Sequence, residues 1–112
     1  MANPDSGKVV VQFRPLPSQL LAMVQSAAAE SRNVSFGSHA LDRMEERGIT
    51  TLDALRVLRS GEIKGGIEAG QNAGEWKCKI IKQIKGTREV GVITIVMKTG
   101  RLFVKTVEWE DI

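Results

Sequence analysis

The chain has 112 residues, of which 42% are apolar and 26% are charged, and its formal net charge at pH 7 is +3. These values are typical of one soluble domain with a modest core, and a mild positive charge permits an anionic partner without requiring one. No apolar run approaches the roughly 18 residues that span a bilayer, so we do not expect a membrane protein.

Cysteine and histidine each occur once in the chain, as Cys78 and His39. A lone cysteine forms no internal disulfide, which favours a reducing compartment, so we expect a cytoplasmic protein. One cysteine and one histidine also argue against a thiolate–imidazole zinc site within the chain. We therefore expect no metal and no cofactor.

The first third of the chain predicts one helix between irregular segments. Residues 1–8 are polar and are expected to be disordered, and residues 9–13 are either a short strand or an apolar tail that lies on the domain. Ser18 then caps a predicted helix that ends near Ser31, and residues 32–37 are expected to be a connector.

The segment 38–48 holds the only histidine and predicts a helix of under three turns. The Ser38 hydroxyl suits an N-cap, and Gly48 suits the left-handed residue that ends a helix. At about 100° per residue, one side of this helix carries an imidazole and two guanidinium groups, from His39, Arg43 and Arg47. The opposite side is expected to be buried and carries Ala40, Leu41 and Met44.

A further helix is predicted after Thr50. Thr50 and Asp53 have the spacing of a capping box, and Gly61 ends the helix after Ser60. Its apolar side is expected to be buried and includes Leu55 and Leu58. Its outward side is expected to be polar and carries Asp53, Arg56 and Arg59.

After this helix the apolar period changes to two, which predicts strands. A first strand over residues 62–68 is interrupted by glycines, and three further strands are predicted over residues 76–84, 90–97 and 102–109. The strand over 90–97 is apolar on both faces, so it should lie at the centre of an antiparallel meander. The expected fold class is α+β, with N-terminal helices packed on a three- to four-stranded antiparallel sheet.

Several side chains suit the chemistry of a phosphate ester. An imidazole exchanges protons readily near neutral pH, so His39 is a candidate acid or base; alternatively, it caps its helix or hydrogen-bonds a backbone group. Arg43 and Arg47 offer paired donors for a phosphate, or they pair with neighbouring acidic side chains. Lys77 and Lys79 project from one side of a predicted strand, either as phosphate-binding residues or as a solvated face.

Aromatic side chains are scarce, because the chain has no tyrosine, three phenylalanines and two tryptophans. None is interleaved with the candidate cations, so stacking of single-stranded bases on aromatic rings is not predicted. The sequence also lacks a phosphate-binding glycine loop and a nucleophile elbow.

Residues 34–109 resemble the bacterial family called domain of unknown function 4258. The resemblance is carried by Ser38-His39-Ala40, Arg43-Met44, Glu46-Arg47-Gly48-Ile49, Val57-Leu58, Gly61-Glu62-Ile63 and the strand with Thr106-Val107. At fold level this family resembles the ribonuclease toxins related to barnase and RelE, in which helices pack on an antiparallel sheet and RNA is cleaved without metal. Residues 1–33 are then an N-terminal extension with one helix, and residues 34–112 form a single α+β domain.

The resemblance implies an RNA-directed role and points to four catalytic residues, His39, Arg43, Arg47 and Thr106. We therefore expect a metal-independent endoribonuclease of the toxin type, with RNA and an antitoxin protein as partners. His39 would transfer one proton and the arginines would stabilise the phosphorane, whereas Glu46, Glu62 or a lysine has to transfer the second proton. Two alternatives stay open: a non-catalytic module that binds RNA or a protein, and an interaction protein with no nucleic-acid role.

Overall fold

Helices cover one face of a five-stranded sheet in the part of the chain that the structure describes. The structure is a computed structural model that describes residues 14–111, apart from the side chain of Lys85. The strands are β1 (Val34–Phe36), β2 (Glu62–Ala69), β3 (Trp76–Lys85), β4 (Arg88–Val96) and β5 (Leu102–Trp109). Across the sheet their order is β1-β5-β4-β3-β2. The interpretations of residues 1–8 and 9–13 lie outside the described residues.

The predicted antiparallel meander is present. β3 pairs with β4 and β4 pairs with β5, both in antiparallel register, so β4 lies between the other two. The observed strands differ from the predicted ones by at most two residues at each end. A strand that is apolar on both faces is thus correctly predicted to occupy the centre of the sheet.

Two edge strands correct the expectation of three or four antiparallel strands. β1 lies within the segment expected to be a connector, and it pairs in parallel with β5. With three residues it is too short for an apolar alternation to be visible in the sequence. β2 continues past the glycines that were expected to interrupt it, because a register shift between Lys64 and Glu68 accommodates Gly65 with its φ of 80°. The sheet is therefore mixed.

Three helices of the described chain precede the meander: α1 (Pro17–Ala28), α2 (Ser38–Arg47) and α3 (Thr51–Ser60). The predicted bounds of α1 are wrong at both ends. The backbone N–H of Leu16, and not a group of Ser18, takes part in the cap by donating to the Gln19 side chain at 2.9 Å. The helix ends at Ala28, and a short 3-10 turn over Ser31–Asn33 follows it.

The turn between α2 and α3 has the capping residues that the sequence predicts. Gly48 adopts a φ of 67° and ends α2, as predicted. The predicted N-cap of α2 is wrong, because the N-cap is Gly37 and Ser38 is the first helical residue. At α3, the Thr50 N–H donates to the Asp53 carboxylate and the Asp53 N–H donates to the Thr50 hydroxyl, each at 3.0 Å. This capping box draws Asp53 inward, so the expectation that Asp53 faces solvent is wrong: it is 8% exposed.

The core lies between the helices and one face of the sheet. The helices contribute Leu20, Val24, Ala28, Ala40, Met44, Ala54, Val57 and Leu58. The strands contribute Ile67, Trp76, Cys78, Ile80, Val90, Val92, Val96, Leu102, Val104 and Val107. Leu41 was expected in this core but is 47% exposed, because α2 packs at the β5 side and buries only a narrow stripe. No described helix covers the opposite face, here called the outer face.

Truncating Leu58 should be costly because its side chain is fully buried in this core. We expect Leu58→Ala to lower the free energy of unfolding by about 2–5 kcal/mol, with Leu55→Ala near the lower end because Leu55 lies outside the main cluster. Leu52→Ala is the control on the same helix; Leu52 is 68% exposed, so the change should stay within about 0.5 kcal/mol. Urea unfolding measures all three, and equal effects of Leu58→Ala and Leu52→Ala would contradict this packing.

Candidate functional site

The outer face of the sheet contains a cavity of about 620 Å³, here called the basic cavity. Its floor includes Ile93 of β4, and its wall is mostly charged. The charged and polar lining consists of Lys64, Lys77, Lys79, Lys105, Glu68, Glu108, His39 and Thr106. Four ammonium groups therefore face two carboxylates, and the imidazole of α2 lies at the same cavity.

Strand register places these side chains in two rows across the sheet. The first row runs from β2 to β5 through Glu68, Lys77, Ile95 and Phe103. The second row runs in the same direction through Lys64, Lys79, Ile93 and Thr106. Adjacent strands are about 4.8 Å apart, so neighbours within a row are within contact distance.

A β-bulge in β5 places Lys105 beside Thr106 on the outer face. The partners of Val104 and Thr106 on β4 are consecutive residues, which makes Lys105 an extra residue of β5. Regular alternation would turn one of the two side chains towards the core. With the bulge, Val104 and Val107 both remain buried, while Lys105 and Thr106 both line the basic cavity.

Four of the six predicted site residues meet at the basic cavity: His39, Thr106, Lys77 and Lys79. His39 is exposed, and among residues 14–111 its imidazole has no hydrogen-bond or ion-pair partner. Within this range, the imidazole therefore neither caps its helix nor binds a backbone group, which was the alternative interpretation. Nothing in the described part of the chain therefore occupies the imidazole.

The two predicted arginines lie outside the basic cavity. Arg43 pairs with Glu46 on the same helix at 2.8 Å, which is the pairing considered as its alternative role. Arg47 donates to the Val107 carbonyl at 2.6 Å, and the Trp109 indole donates to the Arg47 carbonyl at 3.0 Å. These bonds join the end of α2 to the end of β5. Arg47 also lines an adjacent cavity of about 350 Å³, the Arg47 cavity, which shares three residues with the basic cavity: Lys64, Lys79 and Glu108.

A buried carboxylate, Glu110, binds the lysines between these two cavities. Its side chain is 4% exposed and accepts hydrogen bonds from Lys64 and Lys79, each at 3.0 Å. Lys79 also donates to Glu108 at 3.1 Å. Gly91 of the central strand makes room for this network, since a Cβ there would collide with the Glu110 carboxylate.

The network shifts the pKa values of Glu110 and Lys79 in opposite directions. Burial raises the pKa of Glu110, but hydrogen bonds from Lys79 and Lys64 outweigh burial and hold the pKa below its ordinary value of 4.5. Burial lowers the pKa of Lys79, but its hydrogen bonds to Glu110 and Glu108 outweigh burial and hold the pKa above 10.5. Both groups are therefore charged at neutral pH.

The carboxylates of the basic cavity are not the ones that the sequence predicted as proton carriers. Glu46 and Glu62 do not line the cavity, whereas Glu68 and Glu108 do. Glu68 lies 3.5 Å from the ammonium of Lys77. Sequence reasoning also passed over Lys64 and Lys105. The polar residues that alternate along β2 and β5 could have indicated these two lysines. That their side chains lie on one face with the others, however, follows only from the bulge and the strand register.

Three further findings concern the cysteine, metal binding and membrane spans of the described chain. Burial raises the pKa of the Cys78 thiol to about 11, so this cysteine is not a thiolate at neutral pH. Within residues 14–111, no group of histidine, cysteine and carboxylate side chains is arranged to hold a metal ion. In the same range, no helix has the length and apolar character needed to cross a bilayer.

A sequence model of the family described as a domain of unknown function (DUF4258) matches residues 36–109, which is more than half of the chain. Every residue that lines the basic cavity lies inside the matched segment. Searches of curated proteins and of solved structures found no match to the chain.

Removing the charge of Glu110 should destabilise the protein in a pH-dependent way. We expect Glu110→Gln to lower the free energy of unfolding by about 1–3 kcal/mol at pH 7, because a buried charge-assisted pair is lost. A carboxyl whose folded pKa is lowered stabilises the fold above its ordinary value of 4.5, and this contribution is lost as pH falls through the folded pKa. Urea unfolding at pH 7 and at about pH 2.5 should therefore show a difference from the wild type that shrinks in acid. A difference of the same size at both values would contradict the proposed role of this pair.

Adding a methyl group at Gly91 should disturb the same pair. We expect Gly91→Ala to cost about 1–3 kcal/mol of unfolding free energy, because the new Cβ collides with the Glu110 carboxylate. In a Glu110→Ala background that obstacle is gone, so the same change should cost clearly less. A double-mutant cycle by urea unfolding measures the difference, and additive effects would show that the two residues do not interact.

Proposed function

The chain belongs to the family described as a domain of unknown function (DUF4258), and we propose that it is a metal-independent endoribonuclease of the toxin type that acts in the basic cavity. One observation carries this proposal: His39, Thr106 and four lysines converge on a single cavity of the outer face. A fold related to the barnase and RelE ribonucleases is part of the same proposal.

The charges of the basic cavity support the binding of a phosphodiester. Lys79 is already neutralised by two carboxylates. The pair of Lys77 with Glu68 is looser, at 3.5 Å with the Glu68 side chain 71% exposed, and Lys105 has no ion-pair partner among the described residues. An incoming phosphate therefore displaces the fewest interactions when it binds Lys77 and Lys105.

Cleavage in this cavity requires two proton transfers. A base removes the proton of the ribose 2′-hydroxyl, the 2′-oxygen attacks phosphorus, and the bond to the 5′-oxygen breaks as that oxygen takes a proton from an acid. We assign one transfer to His39 and the other to Glu108, because both line the cavity and their elements, α2 and β5, pack together. Glu68 also lines the cavity but lies on the edge strand β2, with β3 and β4 between it and β5. Lys77, Lys105 and the Thr106 hydroxyl then donate to the non-bridging oxygens and stabilise the added charge. The products are a 2′,3′-cyclic phosphate and a 5′-hydroxyl end.

In this proposal, neither the arginines nor an antitoxin takes part in the proton transfers. Arg47 lines the adjacent cavity and is a candidate for the next phosphate of the RNA backbone. We give Arg43 no role while it is paired with Glu46. A protein antitoxin would bind the same lysines with acidic side chains and so exclude RNA.

A non-catalytic module that binds RNA or a protein is the second candidate, and one observation favours it. Both carboxylates of the basic cavity lie beside lysines, Glu68 beside Lys77 and Glu108 beside Lys79. The ammonium groups of Lys77 and Lys79 thus already occupy these carboxylates, which are then less accessible to a ribose 2′-hydroxyl. A cavity of this kind can hold a phosphodiester without cleaving it.

Cleavage of a single-stranded RNA, followed by gel and by end-group analysis, tests the enzymatic proposal. We expect cyclic phosphate ends, and we expect His39→Ala and Glu108→Gln each to slow cleavage by about 10²–10⁴-fold, as is usual for general acid–base groups. Glu68→Gln is the matched control, because it also removes a cavity carboxylate but one that we give no proton to carry. Wild-type rates for His39→Ala would contradict the assignment, and so would equal losses for Glu68→Gln and Glu108→Gln.

The salt dependence of RNA binding tests the second candidate. We expect Lys105→Ala to weaken binding and to reduce the slope of log K against log salt concentration by about one, because one phosphate contact is lost. Lys98→Ala is the control, since Lys98 is exposed but lies outside the basic cavity. RNA binding without cleavage favours the non-catalytic module. The absence of any RNA binding would leave only a role in protein interaction.

A further inference from the structure

A smaller cavity of the outer face adjoins the basic cavity. It has a volume of about 240 Å³ and is here called the Phe103 cavity. Its apolar wall consists of Ile95, Met97 and Phe103. Its polar rim consists of Gln71, Asn72, Glu75 and Lys105, so one carboxylate and one ammonium group line it. Lys105 lines both cavities, so its side chain lies between them.

The ring of Phe103 is both exposed and held in place. Its residue is 36% exposed, although large aromatic side chains are usually buried. The ring tip rests on the backbone before α2, where a Cβ on Gly37 would lie 2.7 Å from the ring Cζ. An aromatic ring fixed on a strand stacks against a flat ligand with little loss of conformational entropy.

The ring lies within the reach of one nucleotide from the cations. Phe103 and Thr106 pair with Ile95 and Ile93, which are two residues apart on β4 and so about 7 Å apart along that strand, and Lys105 lies within this span. Lys77 belongs to the same row of the sheet as Phe103, with Ile95 between them. A single nucleotide joins its phosphate to its base over a comparable distance.

We propose that the Phe103 cavity is a nucleobase subsite, in which one base stacks on the Phe103 ring while its phosphate is held by Lys105 and Lys77. This inference rests on the proposed function and narrows its substrate to single-stranded RNA, because a base inside a duplex is not free to stack on a side chain. The Gln71 amide has no hydrogen-bond partner among the described residues and offers a donor and an acceptor to the edge of the base. An acidic peptide would satisfy the lysines but would leave the ring without a partner.

Binding of two matched probes tests the subsite. One probe is a 2′-O-methyl oligonucleotide that carries all four bases, and the other is a length-matched abasic oligomer with the same number of phosphates. The methyl group removes the attacking nucleophile, so affinity is measured without cleavage. We expect the wild type to bind the base-bearing probe about 10-fold or more tightly than the abasic one, as is usual for one stacked base.

Substitutions at the ring separate stacking from general effects. Phe103→Leu should reduce the preference for the base-bearing probe to less than about 2-fold while leaving the affinity for the abasic probe unchanged. Phe103→Tyr should keep the preference, because a phenol ring still stacks. Leu52→Ala, an exposed apolar residue on α3, is the control and should change neither affinity. Circular dichroism and thermal melting establish that each variant is folded.

The possible failures can be told apart. Equal affinity of the wild type for both probes would overturn the subsite while leaving phosphate binding intact. A preference that survives in Phe103→Leu would place the base elsewhere on the protein and would also overturn it. If neither probe binds the wild type at low salt, the proposed RNA-directed function itself fails.

Discussion

The bulge at Lys105 is the constraint on which the outer face depends. β5 has to keep Val104 and Val107 in the core, because both pack beneath the helices. Two buried residues that are three apart cannot satisfy the regular alternation of a strand, so one residue has to be extra. The bulge resolves this conflict and turns Lys105 and Thr106 to the same side. A requirement of core packing thus produces a cation and a hydroxyl side by side on the face opposite the helices.

The charges of this face are arranged by a second constraint, which is the burial of Glu110. A carboxylate that is 4% exposed is costly unless its charge is compensated, and here two ammonium groups compensate it. The central strand has to supply space for the carboxylate, which explains a glycine at position 91 in an otherwise apolar strand. The same pairs fix the side chains of Lys64 and Lys79, so that part of the basic cavity is ordered before any ligand binds.

Local rules predict those features that depend on local chemistry. The capping box at Thr50, the left-handed residue Gly48 and the central position of β4 follow from residue type and period, and the structure agrees with each. β1 is not predictable in this way, because three residues show no period and their pairing partner lies far along the chain. In the site, His39 is chosen by its chemistry alone, whereas Lys105 becomes visible only once the bulge is known. Arg43 is the opposite case: the family resemblance points to it as a catalytic residue, but it pairs with Glu46, a neighbour three residues away, as the alternative from its own sequence context predicts.

Because of these two constraints, the lysines of the outer face differ in how far their charges are compensated within the protein. At one end, Lys64 and Lys79 share Glu110, so their charges are largely compensated within the protein. At the other end, Lys105 has no ion-pair partner among the described residues and borders the cavity of Phe103. An anion is attracted more strongly to Lys105 than to Lys64 or Lys79, because no carboxylate in the described chain pairs with Lys105, although Glu75 also lines the Phe103 cavity. In the proposed binding mode, the base of a nucleotide therefore lies towards Phe103 and its phosphate at Lys105, and the RNA chain leads past His39 towards the Arg47 cavity.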